Sequence, residues 1–532
     1  MTEWVVTWFR KNRIIGYLLV VAAVIGSYLI VSALQIMNNR FLLILILRVI
    51  MGCMGLVMLD GILQKKGEDK IQFLLVMVVL CGIILRIGYM LYTDVTLRSY
   101  DIGYLEAGAG GKAGYLLTII QEKRLPQNYD FQAYQQPFLY LTGGAFSILI
   151  NAILGRTDNY SLVDASKTVP CVASCLILFL TINMARAFHL KEKGVLAATA
   201  LVAFTPAFLL SGGRLSEDAP TAFFLMLEVL CSLYWYDKPD RRHTVMLGIA
   251  YGLGMMTKIS CSVAGIFTFV MLAAKWKKEK DVASRKRILQ QVGGFLLISC
   301  PLGLWYSIRN AVRFGQSFQY VMPQDVNGPL YRGDISLIRR FFSIDLLNLL
   351  REPYAEVAND YNLPAYLLKS ELFGEFHYIV PDALPVILLF TSVVMTAIIL
   401  VYGAKICLRK SSGRRSMAIF GLALLFLLFS GYAYYGFPFG CSMDFRYYLM
   451  ITIGKAMLLG KIWSMEQETG SKQAYITEKT GVKRQTDITE KTGASGKNVT
   501  EVLTGILFRL EMVFCVFSVL IYTGVQMGTN AR

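Results

Sequence analysis

Apolar residues along this chain come in runs of about twenty, separated by short polar connections. The runs fall near 14–35, 41–61, 71–92, 137–154, 168–187, 195–212, 219–236, 244–257, 260–274, 289–307, 384–404, 417–434, 447–463 and 503–525. About twenty residues of α-helix cover the hydrocarbon thickness of a bilayer. Lipid offers no partner for an open strand edge, so the runs are expected to be helices. The pattern predicts an all-α polytopic membrane protein with about 13–14 transmembrane helices and external loops that carry short helices.

Charge sets the expected sides. Lys65-Lys66, Lys191 with Lys193, Arg241-Arg242, the stretch 275–287 and the stretch 409–415 make the short connections basic. Basic short loops stay in the cytoplasm. The run at 71–92 then exits, and 93–136 is external. Arg10, Lys11 and Arg13 place the N-terminus inside, and the first run is too long for a signal-peptide core, so it reads as a retained span. The expected organisation is N-terminal transmembrane helices over 1–92, a first external, catalytic loop over 93–136, a transmembrane core over 137–307 and a large external loop over 308–383. Transmembrane helices over 384–463, a disordered cytoplasmic insert over 464–502, and a last transmembrane helix with its tail over 503–532 complete it. The insert repeats Ile-Thr-Glu-Lys-Thr-Gly at 476–481 and 488–493 and has almost no core-forming residues. One parity conflict appears. Asp101 and the acidic stretch 214–218 are both assigned outside, yet three apolar runs separate them, so one run is re-entrant or split.

Composition agrees with this class. Of 532 residues 55% are hydrophobic, and the mean hydropathy is +0.51. That is too apolar for a soluble chain of this size. The net charge of +17 follows from the basic connections, and nucleic-acid binding is not expected. Ten cysteines are scattered without a CxxC pair, and there are three histidines without metal-ligand spacing. No cofactor is indicated, and a divalent metal is neither indicated nor excluded.

The candidate chemistry lies at external helix ends. Asp101, in Tyr100-Asp101-Ile102-Gly103-Tyr104, is either a solvated loop carboxylate or a partly desolvated general base for a hydroxyl acceptor. Gly108, Gly110, Gly111 and Gly114 follow and would let backbone approach a ligand. The stretch 113–121 is amphipathic and suits the membrane surface. Glu217 and Asp218 either cap the next helix or form a second acidic point on the same cleft. Lys258, between two apolar runs, either faces a polar cavity or snorkels to the interface. Arg309 and Arg446 also stand at external ends. Three cations at the level of one acidic loop suit a lipid phosphate leaving group. Asp444 reads as a local ion-pair partner of Arg446.

Seven segments then resemble one family. They are Tyr-Asp-Ile-Gly-Tyr with Gly-Gly-Lys-Ala-Gly-Tyr, Gln-Gln-Pro-Phe-Leu-Tyr at 135–140, Ser-Glu-Asp-Ala-Pro at 216–220 and Gly-Leu-Gly-Met-Met-Thr-Lys at 252–258. Pro-Leu-Gly-Leu-Trp-Tyr-Ser-Ile-Arg-Asn at 301–310, Phe-Gly-Glu-Phe at 373–376 and Met-Asp-Phe-Arg-Tyr at 443–447 complete the set. In this order they resemble GT-C type membrane glycosyltransferases of glycosyltransferase family 39, the dolichyl-phosphate-mannose-protein mannosyltransferases and bacterial aminoarabinose transferases, most of all Gram-positive bacterial members. The resemblance implies a GT-C-like fold and inverting transfer of a sugar from a polyprenyl-phosphate carrier to an acceptor (a glycan, lipid or protein) on the outer face of a bacterial plasma membrane. It implies Asp101 as catalytic base, with Asp218, Glu217, Gln136 and Tyr140 on the acceptor side or at a second acidic site. Gln136 stands where relatives often carry histidine. Arg446, Arg309 and Lys258 would hold the carrier phosphate. Two other classes fit the same pattern: a transporter or flippase for a lipid-linked glycan, and a non-catalytic glycan-binding relative.

Overall fold

The structure, a computed structural model, describes residues 13–127, 132–317, 325–407, 438–480 and 494–524. Among them nine helices are long and apolar enough to cross a bilayer, from Ile14–Ala33 to Val502–Gly524, and ten if the bent pair Glu192–Phe204 and Pro206–Gly212 is one span. The chain is an integral membrane protein with an all-α architecture. The run expected at 417–434 and the basic stretch 409–415 lie outside the described residues, as do Arg10 and Lys11. Helices Leu449–Thr480 and Ala494–Gly524 run into both ends of the insert expected as disordered, and 481–493 lies outside the described residues.

Helices that follow one another pack side by side, as Arg40–Gln64 with Gly67–Tyr92 and Asp218–Asp237 with Arg241–Thr257, so the short loops between them fall at two ends. Asp94, Asp101, Leu215 and Lys258 share one of them. Lys191, at the other, donates its backbone N–H to Ser464 Oγ at 2.9 Å. Between the ends lies a core that includes Met90, Cys175, Leu178, Val202, Phe208, Ile453 and Leu459, all fully buried. Lipid-facing side chains such as Leu18, Leu56 and Val401 stay exposed on the outer helices, as a bilayer solvent allows.

Phe138–Leu154 resolves the parity conflict. It has 17 residues, about 25 Å of helix, which is short for a span. Both its flanks are tied to the Asp101 end. Gln136 Nε2 donates to Ser307 Oγ at 2.9 Å on one side, and Arg156 Nη2 donates to the Ser32 carbonyl at 2.9 Å on the other. Thus this run, expected as a span, lies along one end with Leu149 and Ile153 exposed. Two crossings then separate Asp101 from Asp218, as parity requires.

The second of those crossings is broken. Its two helices meet at 53° at Thr205. Pro206 has no N–H, and the bend frees carbonyls of the preceding turn. In lipid such carbonyls need a protein donor. Arg86, fully buried in Gly67–Tyr92, supplies it: Nη2 reaches Val202 O and Nη1 reaches Ala203 O, each at 2.9 Å, while Nε donates to Ser174 Oγ at 3.0 Å. The break turns the chain so that residues 213–218 enter the Asp101 end as a buried loop. Replacing Arg86 with Met leaves these acceptors unpaired, at about 1–3 kcal/mol for each buried group. The expected result is a lower thermal unfolding midpoint of the purified protein in detergent, with Arg86→Lys recovering part of the loss.

Candidate active site

Asp101 is held by the helix that follows it. Helix Gly111–Glu122 has free N–H groups in its first turn. The Asp101 carbonyl accepts from Lys112 N at 2.9 Å, and the Ile102 carbonyl accepts from Ala113 N at 2.9 Å. This fold-back puts Asp101 in the left-handed region at φ 56° and brings Gly103 against Gly111. A Cβ on Gly103 would lie 2.5 Å from the Gly110 carbonyl oxygen and 2.8 Å from Gly111 Cα. Gly111, against Gly103, and Gly114, near the Glu106 carbonyl, therefore let backbone pack on backbone, while a Cβ on Gly108 would meet nothing within 4 Å. Residues 113–121 do form a helix, with most of its side chains buried against the rest of the protein. The Asp101 carboxylate is half-buried and makes no hydrogen bond or ion pair among the described residues.

A charged cluster from distant segments gathers beside it. Asp218 faces Lys258 Nζ at 3.3 Å and accepts from Ser216 Oγ at 2.5 Å. Its electrostatic neighbours are Lys258, Arg446, Lys112 and Arg214. Glu217 faces Lys112 Nζ at 3.6 Å. Neither carboxylate caps the helix Asp218–Asp237, whose N-cap side chain makes no capping bond, so the capping alternative is excluded. Lys258 ends its helix pointed at Asp218, with its Nζ 4.9 Å from the Tyr447 ring centre. Arg446 pairs with Asp444 at 3.5 Å, as the local reading of those two residues expected.

Tyr100 organises the cations. Arg446 Cζ stands 3.8 Å from its ring centre and Arg214 Cζ 4.7 Å, and Phe376 stacks on it at 5.2 Å. Guanidinium groups favour aromatic faces when water is excluded. Arg214 is buried, and its Nε and Nη1 have no hydrogen-bond partner among the described residues; Arg446 Nε and Glu217 Oε2 make no hydrogen bond either, and meet Asp444 and Lys112 only at ion-pair distance. Buried N–H groups are nearly always satisfied in a finished site. Asp101 joins this cluster through its electrostatic interaction with Tyr447 and with Tyr140.

Tyr140 is buried, stacks on Tyr115 at 3.9 Å and leaves its hydroxyl without a partner. Its electrostatic neighbours include Glu217 and Asp101. Gln136 is spent on Ser307 through its amide nitrogen, and its Oε1 is unpartnered. Arg309 is not brought to the cluster. Its guanidinium donates to the Pro126 carbonyl and to Asn310 Oδ1, each at 2.8 Å, and lies over the Tyr306 ring. It fastens the loop that follows helix Gly111–Glu122. Thus of three expected phosphate ligands the structure groups Arg446 and Lys258 and sets Arg309 apart.

Four residues went unassigned in the sequence reading. Lys112 and Arg214 sit inside stretches singled out for their glycines or acids. Asp444 was given only an ion pair. Glu375, within Phe-Gly-Glu-Phe, accepts from Tyr366 Oη at 2.6 Å, and its own backbone N–H donates to the Tyr100 hydroxyl at 3.2 Å. Among the described residues no three His, Cys, Asp or Glu side chains converge as a metal-binding group.

Residues 154–314 match the family model described as dolichyl-phosphate-mannose-protein mannosyltransferase. The match supports a membrane glycosyltransferase. It includes Arg214, Glu217, Asp218, Lys258 and Arg309, while Asp101, Glu375 and Arg446 fall outside it. No curated protein matches the chain. Solved structures of the oligosaccharyltransferase of Archaeoglobus fulgidus are similar to it at a distance. The apo form is 12% identical with a TM-score of 0.45 over 85% of this chain and 55% of that one. The form in complex with an inhibitory peptide and a dolichol-phosphate is 12% identical with a TM-score of 0.44 over the same shares. The chain spans about half the length of these structures, and the likeness is too remote to transfer a residue or a reaction.

Burial raises the Glu375 carboxyl to about 7, and the nearby Asp444 charge adds to it, against opposing contributions from Arg446, Tyr366 and Arg214. A carboxyl whose folded value lies above its unfolded one contributes stability at low pH that is lost as it ionises. Wild-type stability is therefore expected to fall as pH rises from about 4.5 through about 7. Glu375→Gln should lack that component when unfolding is followed across the same range.

Proposed function

We propose that the protein transfers a sugar from a polyprenyl-phosphate carrier to a hydroxyl-bearing acceptor, with inversion, at the outer face of a bacterial plasma membrane. The observation that carries this reading is the pair of guanidiniums, Arg214 and Arg446, which flank Tyr100 beside Asp101: Arg214 is buried with two nitrogens unpartnered among the described residues, and Arg446 is held only by Asp444 at 3.5 Å and Tyr447. Such donors are complementary to a phosphate. The match to a mannosyltransferase family over 154–314 supports the same class.

Asp101 takes the proton of the acceptor hydroxyl as its oxygen bonds to the anomeric carbon. The bond from that carbon to the carrier oxygen breaks, and its electron pair leaves with the phosphate. Arg446, Arg214 and Lys258 stabilise the charge that develops there, and Lys112 adds to the field. Asp218 and Glu217 hold Lys258 and Lys112 in place. Tyr140, whose hydroxyl has no partner among the described residues, is placed to meet an acceptor or sugar hydroxyl, beside Glu217. Lys65, Lys66, Lys191, Lys193, Arg241 and Arg242 lie at the opposite end, which supports an external site.

Asp101→Asn should lower transfer from polyprenyl-phosphate mannose, or from other hexoses on the same carrier, by about 10²–10⁴-fold. Arg214→Ala and Arg446→Ala should also lose turnover, while Arg309→Ala should keep more of it than either. Near-wild-type turnover by Asp101→Asn would remove the base, and an unaffected Arg214→Ala would remove the phosphate site.

A further inference from the structure

A second polar site lies at the same end, framed by helices Arg13–Ala33 and Arg40–Gln64 and by the segment 91–94. It is a cavity of about 530 Å³. Its carboxylates are already satisfied. Asp164, buried, accepts from Lys167 Nζ at 2.6 Å, from Tyr28 Oη at 2.9 Å and from Val95 N at 3.1 Å. Asp94 accepts from Thr96 N at 2.7 Å, from Arg40 Nη2 at 3.2 Å and from the Tyr160 hydroxyl. Lys167 spends its remaining donors on the carbonyls of Met90 and Thr93, at 3.3 and 2.6 Å.

What remains open in the cavity is mostly donors. The Arg156 side chain makes one hydrogen bond among the described residues, to the Ser32 carbonyl, and the Arg40 side chain makes one, to Asp94. Thr93, 1% exposed, lines the cavity with an unpartnered Oγ1. Among the lining residues Arg40, Arg156 and Lys167 stand against Asp94 and Asp164, which leaves one positive charge, with Asp158 outside the lining as a further electrostatic neighbour of Arg156. Spare N–H groups, a spare hydroxyl and a net charge of this sign fit an acceptor-rich anion. The volume exceeds that of a bare phosphate. Leu34 and Phe41, next in the chain to the lining residues Gln35 and Arg40, are exposed.

We infer that this cavity binds a phosphate-ester headgroup, with Arg156 as the charge that holds it. The site is separate from the Asp101 cluster, and the inference does not depend on the reaction proposed there.

The test is native mass spectrometry of the delipidated full-length protein in detergent. Phosphatidylglycerol is titrated against diacylglycerol, which lacks the phosphate, and against sn-glycerol 3-phosphate, which lacks the chains. Phosphatidylglycerol should bind about tenfold more tightly than diacylglycerol, and Arg156→Gln should remove most of that difference. Thr93→Val, close to isosteric, should weaken binding with the helix content unchanged. Competition by glycerol 3-phosphate supports a water-borne ester as ligand; binding of phosphatidylglycerol alone supports a membrane lipid. Equal binding of phosphatidylglycerol and diacylglycerol, or wild-type affinity in both variants, would overturn the inference.

Discussion

A backbone carbonyl freed inside a bilayer has no water to turn to, and this requirement shapes the site end of the molecule. The break at Thr205–Pro206 is possible because Arg86 reaches across from another helix and takes up Val202 O and Ala203 O. A straight span would carry the chain away along one axis. The broken one delivers Arg214, Glu217 and Asp218 as a buried loop against Tyr100. Arg86 touches none of the charged cluster, yet the placement of three of its members depends on it.

The cluster itself follows a different rule. Buried charges are tolerated when paired. Lys112 with Glu217, Lys258 with Asp218 and Arg446 with Asp444 meet that rule with contacts of 3.3–3.6 Å. Arg214 has no such ion pair among the described residues; aromatic faces hold it instead, and two of its nitrogens stay unpartnered there. Asp101 is the complementary case, a carboxylate with no ion pair beside a surplus of buried donors. One carboxylate and one guanidinium thus stand without an ion pair among the described residues, side by side in a cluster whose other charges are matched.

Much of this was legible in the sequence, and the reasons for the failures are physical. Apolar runs of about twenty residues located the helices because a bilayer imposes that length. Phe138–Leu154 imitates a span in composition, and only its length and the contacts of its flanks show that it lies flat. Asp101, Asp218, Glu217, Lys258 and Arg446 were readable because each stands at a helix end on one side. Arg214, Lys112 and Glu375 were not, since their partners are distant in sequence and no periodicity records them. A lone arginine inside the run 71–92 was a usable signal for Arg86, because a charge in a span needs a partner. Gly111 and Gly114 meet backbone, a packing demand that composition does not distinguish from room for a ligand.

The flat helix also acts as a keel. Its exposed Leu149 and Ile153 want hydrocarbon, while Gln136 and Arg156 at its flanks are moored to the polar end of the bundle. The helix thereby fixes the waterline of the protein close to the Asp101 loop. A thicker or thinner bilayer would press on this float and shift the draught of the Asp101 loop, so lipid chain length becomes a handle on that loop that no residue in the charged cluster provides.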